Sequence, residues 1–198
     1  TNAKLTNVDF TGSNLSGAIF TGAYIENTLF SNSTIYGTKF IGAYLEKSVF
    51  DNSQINSALF LGSRINDSSF NDVFIENTNF SGSIITKVDL SNQNFSNNIF
   101  QNTMLNSANL SNSDFSNSDF SYASLNSANL DNSLLINSNF YRTDFGAANL
   151  SNANLSGANL LQSYVKNTNL ENIITDSSTL TDICFKNNLI DKIHCKIQ

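Results

Sequence analysis

The chain has 198 residues, of which 40% are hydrophobic and 13% are charged, with a formal net charge of -6 and a pI near 4.5. This size and apolar content predict a folded chain of one or at most two domains. The acidic balance argues against nonspecific binding to nucleic acid or to an anionic membrane, because no basic stripe could displace counterions. No run of 18 apolar residues is present, so we expect no membrane span.

A five-residue period begins at the amino terminus. Every fifth residue from Leu5 to Leu170 is Leu, Ile, Val or Phe. The residue two places before each of these large residues is Ala, Ser or Thr at 29 of 34 positions. Two places after each large residue the chain favours Gly, Asn or Asp, which form turns. Neither a helical period of 3.6 nor a sustained period of 2 fits. The pattern predicts short extended segments that each end in a turn.

A second period of 20 residues shows that four segments make one coil. The sequences GAYIENTLF (22–30), GAYLEKSVF (42–50) and GSRINDSSF (62–70) recur at this spacing. The chain therefore predicts about eight to nine four-sided coils, which at roughly 4.8 Å per coil form a rod about 40 Å long. The absence of proline agrees with this interpretation, since each coil needs its main-chain N–H groups to bond to the next coil.

Units such as 148–152 (ANLSN), 153–157 (ANLSG) and 113–117 (SDFSN) resemble those of the pentapeptide repeat family. The resemblance covers residues 3 to about 172. It implies an all-β fold, a right-handed quadrilateral β-helix solenoid. We divide the chain into this β-helix at residues 1–172 and a C-terminal cap or dimerisation segment at residues 173–198.

One irregularity lies in the middle of the repeat. Gln93 and Asn98 occupy consecutive small-residue positions, and the alternation of aliphatic residues with Phe changes there. Two interpretations stay open. The site is either a kink or recognition site near residues 90 to 100, or a tolerated irregularity in which both amides bond to main chain.

The last residues depart from the repeat after Thr175 interrupts the apolar column. An Ile-rich segment predicts a short cap, either a helix or an irregular final coil, because a solenoid needs its open end covered. The resemblance offers an alternative, a homodimer, since gyrase-targeting members of the family dimerise through their carboxy ends. The candidate residues for a cap or a dimer are Ile183, Phe185, Ile190 and Ile193.

The residues that could carry chemistry lie close to the carboxy end. His194 adjoins Cys195, and Cys184 is the only other cysteine. One histidine with no second ligand pair argues against a zinc site or a thiol nucleophile, while a disulfide between the two cysteines stays open. We therefore predict that the protein is not an enzyme and that it uses no cofactor or metal.

The acidic residues form two partial stripes when positions are compared at the 20-residue period. The first stripe is Glu26, Glu46 and Asp67, and the second is Asp51, Asp72, Asp131 and Glu171. The resemblance implies a role for them, because well-understood members of the family resemble a DNA duplex in size and charge and engage type II topoisomerases. The first hypothesis is therefore a non-enzymatic protein-binding rod that mimics DNA and inhibits or protects DNA gyrase, without binding nucleic acid itself.

The second hypothesis is an interaction scaffold or effector with another protein partner and no DNA-like role, as the Asn-rich surface with few charges favours. An even distribution of charge around the four faces would support the scaffold. One continuous acidic face along the rod would support mimicry. We expect a cytoplasmic protein, with a secreted, lumenal or periplasmic location left open because the chain begins with Thr1 rather than Met.

Overall fold

The protein is a parallel β-solenoid with a period of 20 residues. The computed structural model describes residues 1–177 and residue 179. Parallel pairing joins residue i to residue i+20 from the Lys4–Tyr24 pair to the Asn154–Ile174 pair, a span of about eight and a half coils. The predicted all-β solenoid is therefore confirmed.

The strands are short and follow the repeat. Seven strands have three residues each, and they form two parallel sheets with the orders β1-β2-β4-β6 and β3-β5-β7. They are β1 Lys4–Thr6, β2 Tyr24–Glu26, β3 Thr34–Tyr36, β4 Tyr44–Glu46, β5 Gln54–Asn56, β6 Arg64–Asn66 and β7 Phe74–Glu76. After β7 the coils continue through single β-bridges at the same 20-residue spacing. In most of these segments the bridge residue is followed by one buried residue and then by two turn residues, which leaves no room for a longer strand.

We number the four sides of the coil face 1 to face 4 in chain order. They are centred on Leu5, Phe10, Leu15 and Phe20, and on every twentieth residue after each of these. A segment of a face runs from the small residue two places before the centre to the corner residue two places after it. Face 1 contains β1, β2, β4 and β6, and face 3 contains β3, β5 and β7.

The corners explain the Gly and Asn preference. Every fifth residue from Asn2 to Asn172 has a positive φ, between 49° and 71°. Many corners are closed by a hydrogen bond between residues three apart, as from Ser13 N to Phe10 O at 2.9 Å around Gly12. A turn with a positive φ at its third residue favours Gly and Asn, because other side chains clash with the main chain there.

The core is a column of large side chains on each face. Face 4 contains a continuous stack of Phe rings whose neighbouring centroids lie 4.7–5.2 Å apart. This stack consists of Phe20, Phe40, Phe60, Phe80, Phe100, Phe120 and Phe140. A second Phe column runs on face 2 as far as Phe70 and resumes on face 3 at Phe95.

The slim layer accepts Ser and Thr because their hydroxyl groups bond to main chain of the preceding coil. Thr38 Oγ1 donates to Leu15 O at 2.8 Å, and Thr143 Oγ1 donates to Phe120 O at 2.7 Å. Such bonds satisfy hydroxyl groups that are buried in an otherwise apolar interior. They also join each coil to its neighbour.

The regular ladder is interrupted at one junction, which we call the seam: residues 66–77 facing residues 86–97. At the next junction seven main-chain hydrogen bonds cover the equivalent stretch, including Leu90 N to Asn109 O at 2.8 Å and Phe95 N to Asp114 O at 2.7 Å. At the seam none of the seven is present, although all of its residues belong to the described part of the chain. The N–H groups without these bonds belong to Asp67, Phe70, Asp72, Ile75, Asn77, Asp89 and Asn94.

Side-chain size explains why the seam opens. Val88 on face 2 and Gln93 on face 3 are bulkier than the Ala, Ser and Thr that fill most small-residue positions, so they crowd the slim layer on these two faces. Asn98 on face 4 instead bonds to main chain of the preceding coil. In the core, the second Phe column ends on face 2 at Phe70 and resumes on face 3 at Phe95. This change of face leaves a gap that is too narrow for a water molecule. The two coils therefore cannot approach as closely as the others.

The seam is closed on its other two sides. Ile65 N donates to Ile84 O at 2.9 Å on face 1, and Phe80 N donates to Ile99 O at 2.7 Å on face 4. The two coils consequently separate on faces 2 and 3, beginning at the corner residue Asp67 that ends the face 1 segment.

The carboxy-terminal predictions fall largely outside the described residues. Ser177 and Thr179 have helical backbone, and Thr179 Oγ1 donates to Leu155 O at 3.3 Å and Ala158 O at 3.1 Å over the last coil. The cap or dimer candidates and the residues considered for chemistry lie outside the described part of the chain. They are Ile183, Cys184, Phe185, Ile190, Ile193, His194 and Cys195.

Candidate protein-binding face

Face 2 is the acidic face of the rod. Its segments extend from residues 8–12 to residues 168–172 and contain no Lys or Arg, all within the described residues. Its acids are Asp9, Asp51, Asp72, Asp89, Asp131 and Glu171. With 13 acids and 7 bases in residues 1–172, these six charges equal the whole net charge of the repeat region.

The basic residues all lie on the other side. Face 1 has five of the seven bases of the repeat region and four acids, and face 4 has the remaining two bases and one acid. The bases are Lys4, Lys47, Arg64, Lys87 and Lys166 on face 1, and Lys39 and Arg142 on face 4. In the part of the chain that the structure describes, every charged residue of face 3 is an acid. The rod therefore has an acidic half, faces 2 and 3, and a nearly neutral half, faces 1 and 4.

The structure separates the two groups of predicted acids. Face 2 contains the second group, Asp51, Asp72, Asp131 and Glu171. Face 1 contains the first group, Glu26, Glu46 and Asp67. On face 1, Glu26 pairs in register with Glu46, and Lys47 Nζ lies 3.9 Å from a carboxylate oxygen of Glu46. The charge of the first group is offset by the bases on its own face, so it does not extend the acidic face.

Two acids of face 2 were missed in the sequence. Asp9 and Asp89 precede the buried centre of their segments, whereas Asp51, Asp131 and Glu171 follow it. Both positions belong to the same face, because alternate side chains of a short strand project to the same side. A search at both positions of the 20-residue period would have found them.

Hydrogen bonds hold several of these carboxylates in place. Asp131 accepts from Ser151 Oγ at 2.6 Å and from Asn152 Nδ2 at 2.9 Å, and these bonds lower the pKa of Asp131 below its usual value. Hydrogen bonds from Thr11 lower the pKa of Asp9 in the same way. The main-chain N–H of Thr11 lies 2.8 Å from the Asp9 carboxylate. Both groups therefore remain ionised at neutral pH.

Between the acids, face 2 has a ladder of Asn side chains. Asn129 Nδ2 donates to Asn109 Oδ1 at 3.3 Å, Asn149 donates to Asn129 at 3.1 Å, and the next step, from Asn169 to Asn149, is 2.9 Å. Each amide thus satisfies its neighbour one coil away. This ladder makes the carboxy-terminal half of face 2 a regular polar surface.

Face 1 has an aromatic stripe next to its charges. The rings of Tyr24 and Tyr44 lie 6.5 Å apart, with Lys4 Nζ 6.0 Å from the Tyr24 ring and the Arg64 guanidinium 5.5 Å from the Tyr44 ring. The carboxylate of Glu26 raises the pKa of Tyr24, since a negative charge disfavours the phenolate.

A separate aromatic cluster lies at the corner that follows face 4. The Arg142 guanidinium is 5.9 Å from the Tyr122 ring and 5.3 Å from the Tyr141 ring, and Arg142 Nε donates to Gln162 Oε1 at 2.6 Å. Tyr122, Arg142 and Gln162 occupy the same corner of three successive coils, and all three have a positive φ. Within the described residues, Arg142 has no carboxylate within salt-bridge distance.

The described residues lack both a cluster of metal-binding side chains and a membrane-spanning helix. They contain no group of three or more His, Cys, Asp or Glu side chains that could hold a metal ion. They also contain no helix with the length and apolar character needed to cross a membrane. The surface groups that the structure brings together are charged stripes, amide ladders and aromatic clusters, which are features of binding surfaces.

Comparison with known proteins agrees with this fold. A profile described as "pentapeptide repeat region" matches residues 3–80, and one described as "pentapeptide repeats (8 copies)" matches four overlapping stretches between residues 75 and 172. No curated protein matches the sequence.

Among solved structures, HetL from the cyanobacterium Nostoc sp. strain PCC 7120, a pentapeptide repeat protein, is 17% identical over 87% of both chains, with a TM-score of 0.63. Full-length QnrB1, a plasmid-mediated fluoroquinolone resistance protein, is 19% identical over 91% of this chain and 88% of its own, with a TM-score of 0.40. Rfr23 from the cyanobacterium Cyanothece 51142 is 33% identical over 52% of this chain and 60% of its own, with a TM-score of 0.20. On the matches that run from residue 3 to residue 172, the chain belongs to the pentapeptide repeat family.

Proposed function

We propose that the protein is a non-enzymatic binding rod whose face 2 mimics the charge of a DNA backbone and occupies the DNA-binding surface of a type II topoisomerase, DNA gyrase. The observation that carries the proposal is the segregation of charge. Six carboxylates and no base lie on face 2, from Asp9 to Glu171. A partner that binds DNA presents a basic groove, and an acid-only face along the rod is complementary to such a groove.

The density of charge sets the expected strength of this binding. Duplex DNA carries one negative charge per roughly 1.7 Å of axis, so a length of about 40 Å carries about two dozen charges. Face 2 has six acids over a similar length. The rod therefore offers about a quarter of the charge of DNA, and we propose that shape and polar contacts of the Asn ladder supply the rest of the affinity. Such binding would take place in the cytoplasm.

The test is a supercoiling assay with DNA gyrase, titrated with the purified protein at low and at moderate salt, with and without a fluoroquinolone. We expect inhibition at micromolar protein or below, or protection from the drug, and we expect either effect to weaken as salt screens the charges. No effect at a high excess of protein would contradict a role at this enzyme.

A second candidate function is an interaction scaffold without a DNA-like role, favoured by the cluster of Tyr122, Tyr141 and Arg142. Tyr and Arg are the residues most often responsible for binding energy at protein interfaces. Bulky side chains at corners with positive φ cost stability, and such strain is concentrated at functional sites.

The scaffold can be tested with two corner variants, Tyr122→Asn and Arg142→Asn, because Asn is accepted at these corners elsewhere in the chain. A scaffold role predicts that a partner captured by the wild-type protein is lost by the double variant. The same variant should keep its effect on gyrase if face 2 is the binding surface.

A further inference from the structure

The two edges of the seam face each other with unpaired main chain. The N–H groups of Ile75 and Asn77 on one edge, and of Asn94 on the other, lack the bonds that their equivalents make in neighbouring coils. Main-chain N–H and C=O groups are obligatory hydrogen-bonding groups, so an open edge is a template for another extended chain. Faces 2 and 3 thus have main-chain groups without the coil-to-coil bonds that the rest of the rod makes.

On face 3 the seam widens into a cleft of about 130 Å³. Residues 73–76 line one side of it, and Asn94, Ser96 and Asn97 line the other. The hydrogen bonds of face 1 and face 4 close the far sides, so the cleft opens only laterally. A ligand can therefore enter across face 3.

An exposed aromatic side chain stands beside the cleft. Phe74 is the one Phe of the described residues that lies outside the core columns, and its 62% exposure is the largest among their exposed large hydrophobic residues. Its register partner in the preceding coil, Gln54, is polar. An aromatic ring in water beside an open edge can anchor an apolar side chain of a bound segment.

The charge of the cleft selects the ligand. Glu76 lines it, and Asp72 and Asp89 lie on the two sides of the seam on face 2. Neither face 2 nor face 3 has a Lys or Arg in the described part of the chain. A segment that carries Lys or Arg is therefore favoured over an acidic one.

We propose that the seam is a binding site for an extended, basic peptide segment of a partner protein. The segment bonds to the free main-chain groups of residues 72–77, packs an apolar side chain against Phe74, and directs a basic side chain toward Glu76. Adding a strand to an open edge is a known mode of peptide recognition, in which main-chain bonds give affinity and side-chain pockets give specificity. This site adjoins face 2 and shares Asp72 and Asp89 with it, but its contacts with main chain and with Phe74 do not depend on any role at gyrase.

The probe is a fluorescein-labelled peptide of alternating Lys and Val, about nine residues long, which is within the usual length of a strand. Its first control has the same sequence with N-methyl groups at alternate residues, which keep the charge, remove N–H donors and sterically prevent the peptide main chain from approaching the edge of the coil. Its second control replaces Lys with Glu. Binding to the full chain is measured by fluorescence anisotropy, and amide hydrogen exchange is followed with and without the Lys–Val peptide.

We expect the Lys–Val peptide to bind, both control peptides to fail, and exchange to slow at Ile75, Asn77 and Asn94. Phe74→Ala should weaken binding by about tenfold, the size of effect seen for an aromatic anchor. Tyr36→Ala is the matched control, since Tyr36 is an exposed ring on face 3 two coils away, and it should leave binding unchanged.

Four results would overturn the proposal, and three of them concern the peptide and its controls. The first is that the N-methylated peptide binds as well as the Lys–Val peptide, which would mean attraction by charge alone. The second is that Phe74→Ala and Tyr36→Ala weaken binding equally. The third is that the Lys–Val peptide leaves amide hydrogen exchange at the seam unchanged. A fourth result, self-association of the protein that depends on Phe74 and excludes the peptide, would replace the proposal with binding of a second copy of the chain.

Discussion

The side-chain amide of Asn98 bonds to the carbonyl of Ile75 across the seam, with Nδ2 donating to O at 3.4 Å. The same amide accepts from Thr78 N at 2.7 Å through Oδ1. In regular coils a shorter Ser or Thr hydroxyl makes the equivalent contact, as from Thr103 to Phe80 O. Asn98 thus spans a junction that the main chain leaves open on the adjoining face 3, and it joins the two halves of the rod.

Replacing Asn98 should destabilise the rod. Asn98→Ala leaves the buried N–H of Thr78 and the carbonyl of Ile75 without partners, and such groups cost about 1–3 kcal/mol each. We expect a loss of roughly 2–4 kcal/mol in the free energy of unfolding, measured by urea denaturation followed by circular dichroism. The control is Ser163→Ala, because the buried Ser163 hydroxyl has no hydrogen-bond partner and its removal should change little. Equal losses in the two variants would contradict the bridging role.

The corner conformation makes a second prediction, at Gly37. Its φ is +61°, and an added Cβ would meet nothing within 4 Å, so any effect of Gly37→Ala comes from the backbone alone. The left-handed conformation should make this variant less stable by about 1 kcal/mol. Gly37→Asn should be closer to the wild type, since Asn tolerates this conformation. Thermal unfolding of both variants tests the order, and an Ala variant as stable as the Asn variant would contradict it.

A third prediction concerns the ionisation of Tyr24. Its pKa is raised above the ordinary value of 10.0, first by the charge of Glu26 and further by Glu46. Because the folded state holds this proton longer than the unfolded chain does, its contribution to stability is present below pH 10.0 and is lost as pH rises through the raised pKa.

Glu26→Gln should therefore lower the pKa of Tyr24 toward its ordinary value, as measured by an NMR titration of the ring carbons in labelled protein. Asp67→Asn is the control, because Asp67 lies on the same face but does not contribute to the shift. A Tyr24 pKa that stays raised in Glu26→Gln would show that another group is responsible.

The period of 20 residues made most of the fold predictable. It places Glu26 beside Glu46 and Asp51 in line with Asp131, and the structure has both relationships. Gly and Asn two places after each large residue predict turns, and the corner φ values explain that preference. Local chemistry is enough for these features because each five-residue unit repeats the same contacts.

The seam was harder to predict. Gln93 and Asn98 mark its position in the sequence, but the seam also includes a gap in the core that is lined by Phe70 and Phe95. That is a relation between residues 25 apart on different faces. The cleft beside Phe74 and the bulky corner at Tyr122 also depend on neighbouring coils, so a single unit of the repeat does not reveal them.

The acidic face is tested most directly with two variants of equal charge in the gyrase supercoiling assay. One variant removes three of the six charges of face 2 with Asp51→Asn, Asp131→Asn and Glu171→Gln. The other removes three of the four acidic charges of face 1 with Glu26→Gln, Glu46→Gln and Asp67→Asn. Both lose three negative charges, so only the position of the charges differs. We expect the face 2 variant to lose inhibition by about tenfold or more and the face 1 variant to retain it. Equal losses in both variants, or a loss confined to the face 1 variant, would contradict the proposal that face 2 binds the enzyme.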